Sequence, residues 1–389
     1  METVKSSFLK FVVLGIESTC DDSAAGVVEY PSGRVIADVR RSQNAIHGQY
    51  GGIVPNLASR AHSANLPRVV DEAMVLASSA GAPITHVAVA SGPGMLACIR
   101  HGMEVAQARS ALLGVPLVGV NHLEAHTLVS RMGPAPASPA FPFLSLVVSG
   151  GNTFLALSSA VGAHTMLGRT LDDAVGQALD KVGRALVGSD GDGSSAATLE
   201  RFSHYGAALE ALAMQGDERN AAARLPVPMR DTRGLDFSFS GVKAACMRLI
   251  ASGQAPRADV ALAFQSAVFD HLADVAARGL MLHAAHGHRL AMESRRAAKT
   301  WKRLGVNGAP SPGVSALVVS GGVAANKALL ARMERLAAAA GVGLVVPHAK
   351  LCVDNGVMIA WAAAERLAAG NARPPTEARA HWPLDATES

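Results

Sequence analysis

The chain repeats one plan twice, and that repetition limits the fold more than any other feature. From Phe11 to Glu29 an apolar run meets the polar turn Glu17-Ser18-Thr19-Cys20-Asp21-Asp22-Ser23 and then a second apolar run, which spells a strand hairpin with an acidic tip. The plan returns from Phe143 to Leu157, where the turn is Ser149-Gly150-Gly151-Asn152-Thr153 and the tip is glycine-rich. Further along each half, a buried strand ends in glycine and feeds a helix, at His86 to Gly94 and again at Ala316 to Gly322. Two similar α/β domains facing each other across a cleft are expected, with the turns at strand ends converging on a ligand. The Pro/Ala-rich connector from Met132 to Pro139 marks the boundary. Arg289, Arg295, Arg296, Lys299, Lys302 and Arg303 stand against Glu293 alone, which reads as an inserted basic helix, a solvated face or a nucleic-acid contact.

Composition removes several classes. Of 389 residues, 49% are apolar and 17% charged, against roughly 25% charged in an average soluble chain, so a disordered polyelectrolyte is excluded. The net charge of +4 tolerates a polyanionic partner without requiring one. Cys20, Cys98, Cys246 and Cys352 lie far apart, which argues against a disulfide framework and for a reducing compartment. No apolar run reaches the ~18 residues of a membrane span, and Met1 to Lys10 lacks the apolar core of a secretory signal. A soluble, intracellular protein with no membrane partner is expected.

The strongest local constellation is Asn121-His122-Leu123-Glu124-Ala125-His126. Histidines at i and i+4 stack on one helical face, the spacing that lets two imidazoles hold one ion. A zinc peptidase would place its glutamate directly after the first histidine, where Leu123 stands; Glu124 points about 200° around the helix. Asp354, in the turn Asp354-Asn355-Gly356 that caps an amphipathic helix running through Trp361 to Leu367, reads either as an N-cap or as a third ligand. Imidazole and carboxylate together suit Zn, Fe or Mn and leave open positions for a phosphate or carbonyl oxygen. The pairs Gly150-Gly151 and Gly321-Gly322 would let backbone N–H groups approach a nucleotide, although neither matches the P-loop or dinucleotide fingerprint.

Taken together, the ordered motifs resemble the universal tRNA N6-threonylcarbamoyladenosine transferase family, bacterial TsaD and its mitochondrial and archaeal relatives. They are Gly15-Ile16-Glu17-Ser18-Thr19-Cys20-Asp21-Asp22, Gly51-Gly52-Ile53-Val54-Pro55, Ala58-Ser59-Arg60, Ser91-Gly92-Pro93-Gly94, His122 to His126, Val148-Ser149-Gly150-Gly151, Leu235 to Gly241, Ser320 to Asn326 and Asp354-Asn355-Gly356. The resemblance runs from about Val13 to Leu384. It implies an α/β, actin-like (ASKHA) fold of two RNase H-like domains facing across a nucleotide cleft. The first would span 11–135, completed by a C-terminal helix at 355–385, and the second 140–354, with insertions near 188–205 and 283–314. It also implies transfer of a threonylcarbamoyl group from threonylcarbamoyl-AMP to N6 of the adenosine 3′ of the anticodon, position 37, in ANN-decoding tRNAs.

The family's metal ligands map onto His122, His126 and Asp354, for one divalent ion per subunit, Fe or Zn ahead of Mn or Mg. Its adenylate-binding positions map onto Val147, Val148, Ser149, Gly150, Gly151, Asp180 and Asn326, and Asp21 and Asp22 lie in its acidic first hairpin, as catalytic candidates. Two departures stand out. The usual Gly-Gly-His-Thr becomes Gly151-Asn152-Thr153, and the glycine-rich turn after the Lys181 helix is replaced, which puts the substrate-facing glycine at Gly206 with Gly193 as its rival. Trp361, the stretch Glu365-Arg366-Leu367 and the long insertion resemble the mitochondrial branch. That branch implies a homodimer, a functional link to a threonylcarbamoyl-AMP synthase, and a mitochondrial matrix address with the cytoplasm as alternative. The competing readings are a non-catalytic actin-like scaffold, an actin-like ATPase or kinase, and a metallopeptidase.

Overall fold

The computed structural model describes residues 9–47, 50, 52–133, 138–187, 202, 204–232, 234–283 and 313–386. The basic segment 289–303, Gly193 and most of the insertions near 188–205 and 283–314 lie outside the described residues. Strands β1 (Phe11–Glu17), β2 (Asp22–Tyr30) and β3 (Arg34–Ser42) come first, followed by the short helix α1 (Asn44–His47) and the long α2 (Pro55–Ser79). Then come β4 (His86–Gly92), α3 (Leu96–Leu113), β5 (Leu117–Asn121) and α4 (His122–Leu128). The second half holds β6 (Phe143–Val148), β7 (Thr153–Ala160), β8 (Ala163–Arg169), α5 (Val175–Val187), α6 (Tyr205–Ala213), α7 (Ser240–Ser252) and α8 (Arg257–His283). It closes with β9 (Ala316–Ser320), α9 (Lys327–Ala340), β10 (Gly343–Val345) and α10 (Gly356–Ala368).

The duplicated pattern becomes two five-stranded sheets of one topology. The first has the order β3-β2-β1-β4-β5, and the second, β10-β9-β6-β7-β8, is the same sequence of roles written from the other edge. In each, an antiparallel hairpin leads: β1 with β2 from Phe11↔Tyr30 to Glu17↔Ala24, and β6 with β7 from Phe143↔Ser158 to Val148↔Thr153. The first strand of each hairpin then pairs in parallel with a later strand, β1 with β4 and β6 with β9. Strands of such a central position are buried on both faces, which is why Val13 to Ile16 and Leu144 to Val148 are near-continuous apolar runs.

The chain divides into two compact units, residues 1–139, 160–164 and 353–389 in the first and 140–159 and 165–352 in the second. Val353, Asp354 and the turn Ala160–His164 therefore go with the first unit. In that unit, Leu14, Ile16, Ala25 and Val27 pack on Leu66, Val69 and Val70 of α2. The opposite face meets α10 at backbone distance. A Cβ on Gly15 would fall 2.3 Å from the amide nitrogen of Ala360, and one on Gly26 would fall 2.4 Å from that of Val357, so only glycine lets the helix lie this close.

The helix expected to be amphipathic through Leu367 is instead buried all round: Gly356 to Arg366 are all buried, with the charged Glu365 and Arg366 paired inside. Helix α8 is by length and composition long and apolar enough to cross a membrane. Its Val260, Phe264, Val268, Phe269, Leu272, Val275 and Leu280 instead form much of the second unit's core.

Candidate functional site

Helix α4 begins at the end of β5, where the Asn121 side chain accepts hydrogen bonds from the amides of Leu123 (2.9 Å) and Glu124 (3.3 Å). This cap fixes the first turn and turns His122 and His126 to one side, their rings perpendicular with centroids 4.7 Å apart. Asp354 comes from the other end of the unit, immediately before α10. The cap of that helix is its neighbour Asn355, whose side chain accepts from the Met358 amide at 2.8 Å. Asp354 is thereby free of the capping role and faces the imidazoles: Oδ1 lies 2.9 Å from His126 Nε2 and 3.7 Å from His122 Nε2. One ligand atom from each of the three lies within 4.8 Å of the others.

The surroundings of these three side chains suit a cation. His122 Nδ1 donates to Glu17 Oε2 at 2.9 Å, and Thr19 Oγ1 lies 3.1 Å from the same nitrogen. A carboxylate behind an imidazole fixes its tautomer and leaves Nε2 as the outward donor atom. Burial disfavours the His122 imidazolium, but the charges of Glu17 and Asp354 and the hydrogen bond to Glu17 overcome it and push the pKa up to about 9. Burial would raise the Asp354 carboxyl too, and there the neighbouring His122 and His126 prevail and hold it well below the usual carboxylate range. The His122 imidazole thus carries a positive charge that a divalent ion would replace. His126 Nδ1 is buried without a hydrogen-bond partner among the described residues, as is Asp22 Oδ1.

Asp21 and Asp22 stand at the tip of the β1–β2 hairpin. Burial, reinforced by the charge of Asp354, raises the Asp21 carboxyl. Asp22 is pushed up to about 7 by burial, with Asp21 and Asp354 adding to it and Arg40 opposing. The tip itself is clamped. His62 of α2 bridges Ser23 Oγ (2.8 Å) and the carbonyl of Cys20 (3.0 Å), and the Met95 amide donates to the Thr19 carbonyl at 2.9 Å. Four carboxylates, Glu17, Asp21, Asp22 and Asp354, are gathered with two imidazoles, a donor set in which a cation is electrostatically favoured.

Glu124 plays no part in this cluster, as its helical position requires. It is fully buried and accepts from Arg366 Nε (2.6 Å), the Gly162 amide (2.9 Å) and His164 Nε2 (3.1 Å), a network that locks the far side of α4 to α10. The site residue that sequence reasoning passed over is Glu17. It ends an otherwise apolar strand and is fully buried, and a lone acid at the end of a buried strand is the signal that could have singled it out.

The second unit holds the remaining expected residues. Val147 and Val148 are buried in β6, and at the tip the Ser149 amide donates to the Asn152 carbonyl at 2.8 Å. Gly150 and Gly151 face open space, while a Cβ on Gly176 would meet the Ser149 carbonyl at 2.7 Å and one on Gly321 the Val148 carbonyl at 2.3 Å. The start of α5 and the β9 turn therefore press their backbones against Val148–Gly150. Asp180 and Gly206 are brought together, the Gly206 amide donating to Asp180 Oδ1 at 2.6 Å, with His204 Nδ1 3.4 Å away. Asn326 caps α9, accepting from Ala328 and Leu329, while its amide donates to Gln265 at 3.1 Å. Nearby in sequence, Asp172 accepts from Ser238 Oγ (2.6 Å) and the Phe239 amide (2.8 Å), which anchors the Leu235–Gly241 motif.

Two α/β units with sheets of the same order define an actin-like fold, and solved structures agree: HypF from T. kodakarensis superposes with a TM-score of 0.51 at 14% identity, over 94% of this chain. A full-length HypF in a phosphate- and nucleotide-bound form gives 0.52 at 12% identity over 93%. This chain spans about half of either HypF chain, 48% and 47%. The family model for TsaD, tRNA N6-adenosine threonylcarbamoyltransferase, matches residues 34–361. A protein of that name from Paramagnetospirillum magneticum is 40% identical over 97% of this chain and 98% of its own length. Another from Cereibacter sphaeroides is 38% identical over 96% and 94%. The chain belongs to the tRNA N6-adenosine threonylcarbamoyltransferase family: it is a transferase that modifies tRNA, which sets aside the scaffold, kinase and peptidase readings.

The mitochondrial address is overturned. The curated relatives that match at 38–40% identity, from Paramagnetospirillum, Cereibacter and Brucella, are bacterial.

Proposed function

We propose that this enzyme transfers the threonylcarbamoyl group from threonylcarbamoyl-AMP to N6 of adenosine 37 in ANN-decoding tRNA, with a divalent ion held by His122, His126 and Asp354. The observation that carries this reading is the convergence of those three side chains within 4.8 Å beside an acidic hairpin tip. A bound cation there would supply electrophilic stabilisation where negative charge develops, on the carbamoyl oxygen and the departing AMP phosphate. Glu17, through His122 Nδ1, orients the first imidazole, and the Asn355 cap leaves Asp354 its ligand role.

In the reaction a bond forms between N6 and the carbamoyl carbon, the bond from that carbon to the phosphate oxygen breaks, AMP leaves as the anion, and N6 loses a proton. Asp21 and Asp22, at the tip of the acidic hairpin, are the groups we assign to receive that proton. The open glycines of the Ser149–Asn152 turn present backbone amides suited to the adenylate, and Asp180 with Gly206 forms a second contact for it. The homodimer and the supply of donor by a separate synthase are supported by the sequence resemblance, and sedimentation of the purified protein reads the first directly.

The test is transfer from synthetic threonylcarbamoyl-AMP to unmodified tRNA, with metal content measured on the same preparation. His126→Ala and Asp354→Ala should lose metal and roughly a hundredfold in rate. Unchanged rates in metal-free variants would overturn the proposal.

A further inference from the structure

An acidic mouth is a poor host for a polyanion, and the strand beside it carries the compensating charge. β3 is the edge strand of the first sheet, and its last residues pair with the hairpin tip in the register Ala24↔Arg40 and Ser23↔Arg41. Because successive strand residues alternate faces, the two arginines straddle the edge. Arg40 shares the face of Gly26, which meets α10, and Arg41 that of Ala25 and Val27, which pack on α2. Both are exposed. Arg40 reaches Asp22 through a single long contact, Nη1 to Oδ2 at 3.4 Å, with its side chain 40% exposed, so most of its five donors stay available. Arg41 has no ion-pair partner among the described residues.

We infer that Arg40 and Arg41 form a phosphate-contact site for the tRNA strand that presents the target adenosine. The inference rests on the transferase reading above and adds the surface by which the RNA is held. The charge of Glu17 and Asp354 is compensated within the site by His122 and the proposed ion, so RNA phosphates passing beside it need cations of their own, and two exposed guanidinium groups stand on the adjoining edge. Guanidinium groups also suit phosphate geometry better than ammonium groups do.

The experiment combines steady-state kinetics with the salt dependence of tRNA binding, using the full-length protein and unmodified tRNA. For Arg41→Ala we expect the KM for tRNA to rise about tenfold, and the slope of log affinity against log salt to shrink by about 0.7–0.9 for each phosphate no longer neutralised. Arg40→Ala should act in the same direction, and Arg40→Lys should restore the slope. The KM for threonylcarbamoyl-AMP should stay at its wild-type value. Removing Arg40 also unpairs Asp22, so Arg41→Ala, which breaks no ion pair, decides the matter if the Arg40 variant folds poorly. An unchanged salt slope in Arg41→Ala, or an effect confined to the KM for threonylcarbamoyl-AMP, would overturn the inference. Binding is read without turnover, so a wild-type enzyme that bound tRNA yet failed to use threonylcarbamoyl-AMP would sink the transfer reaction and leave this site standing.

Discussion

The two hairpin tips occupy the same place in sheets of the same order and do opposite things. At the first, Ser18 to Asp21 links strands whose ends carry Glu17 and Asp22, with Glu17 bonded to His122 and the tip held by His62 through Ser23 and the Cys20 carbonyl. At the second, Ser149 to Asn152 offers bare backbone: Gly150 and Gly151 have nothing within 4 Å of where a side chain would start. One topology thus presents two kinds of surface, side-chain charge in the first unit and open main-chain amides in the second. The difference is set by the tip residues, since the flanking strands are alike in burial and register.

The units also differ in how a helix meets the sheet, and the largest expected effect tests that contrast. Gly15→Ala or Gly26→Ala would drive a methyl into the backbone of α10, which cannot rotate away, and should destabilise the protein by about 3 kcal/mol or more in denaturant melts. Gly279→Ala in α8 meets the side-chain ends of Leu155, at 2.7 Å, and Leu144, at 3.2 Å, and should cost about 1 kcal/mol. Equal effects would erase the distinction. Next, Asp354→Ala should abolish metal retention, measured by elemental analysis, while Ser149→Ala leaves it intact. A smaller effect is expected from Glu17→Gln, which keeps the shape behind His122 but removes the charge. Metal affinity should fall about 10- to 100-fold in competition with a chelator.

The last contrast is one of sign, because Asp22 in the first unit and His271 in the second should respond to pH in opposite directions. Asp22 is raised to about 7 from 3.8, so between those values the folded metal-free protein binds more protons than the unfolded chain. Stability from this group is lost as pH rises from about 4 to 7, with a slope of at most about 1.4 kcal/mol per pH unit. His271, buried among Phe237 and Phe239, is lowered to about 4 by burial and by Arg278. Its contribution is present above 6.5 and lost as pH falls toward 4. Urea midpoints of metal-free Asp22→Asn should flatten the first trend and leave the second.

What the sequence made legible was whatever is encoded locally. Both hairpins could be read because strand alternation and turn residues are neighbours in the chain, and the His122–His126 spacing is a property of one helix turn. What it hid was pairing at long range. The partner of His122 is Glu17, 105 residues away, and the partners that let Glu365 and Arg366 be buried, Arg131 and Glu124, are 234 and 242 residues distant. Charge on a helix signals water only when no opposite charge waits inside. Asp354 had the same ambiguity, since one of two adjacent residues had to cap α10, and the choice fell to Asn355 through the Met358 amide.

Because α10 closes the first sheet from far along the chain, manufacture of the protein has an enforced order. His126 and Asp354 are 228 residues apart, so at about 5–20 residues per second a ribosome needs on the order of 10–45 s to add the second after the first. Throughout that interval the nascent β1–β2 hairpin keeps an uncovered apolar flank and an unfinished ligand set. The trio His122, His126 and Asp354 is thus complete only once Asp354 has been added, and a product that stops before it lacks the third side chain.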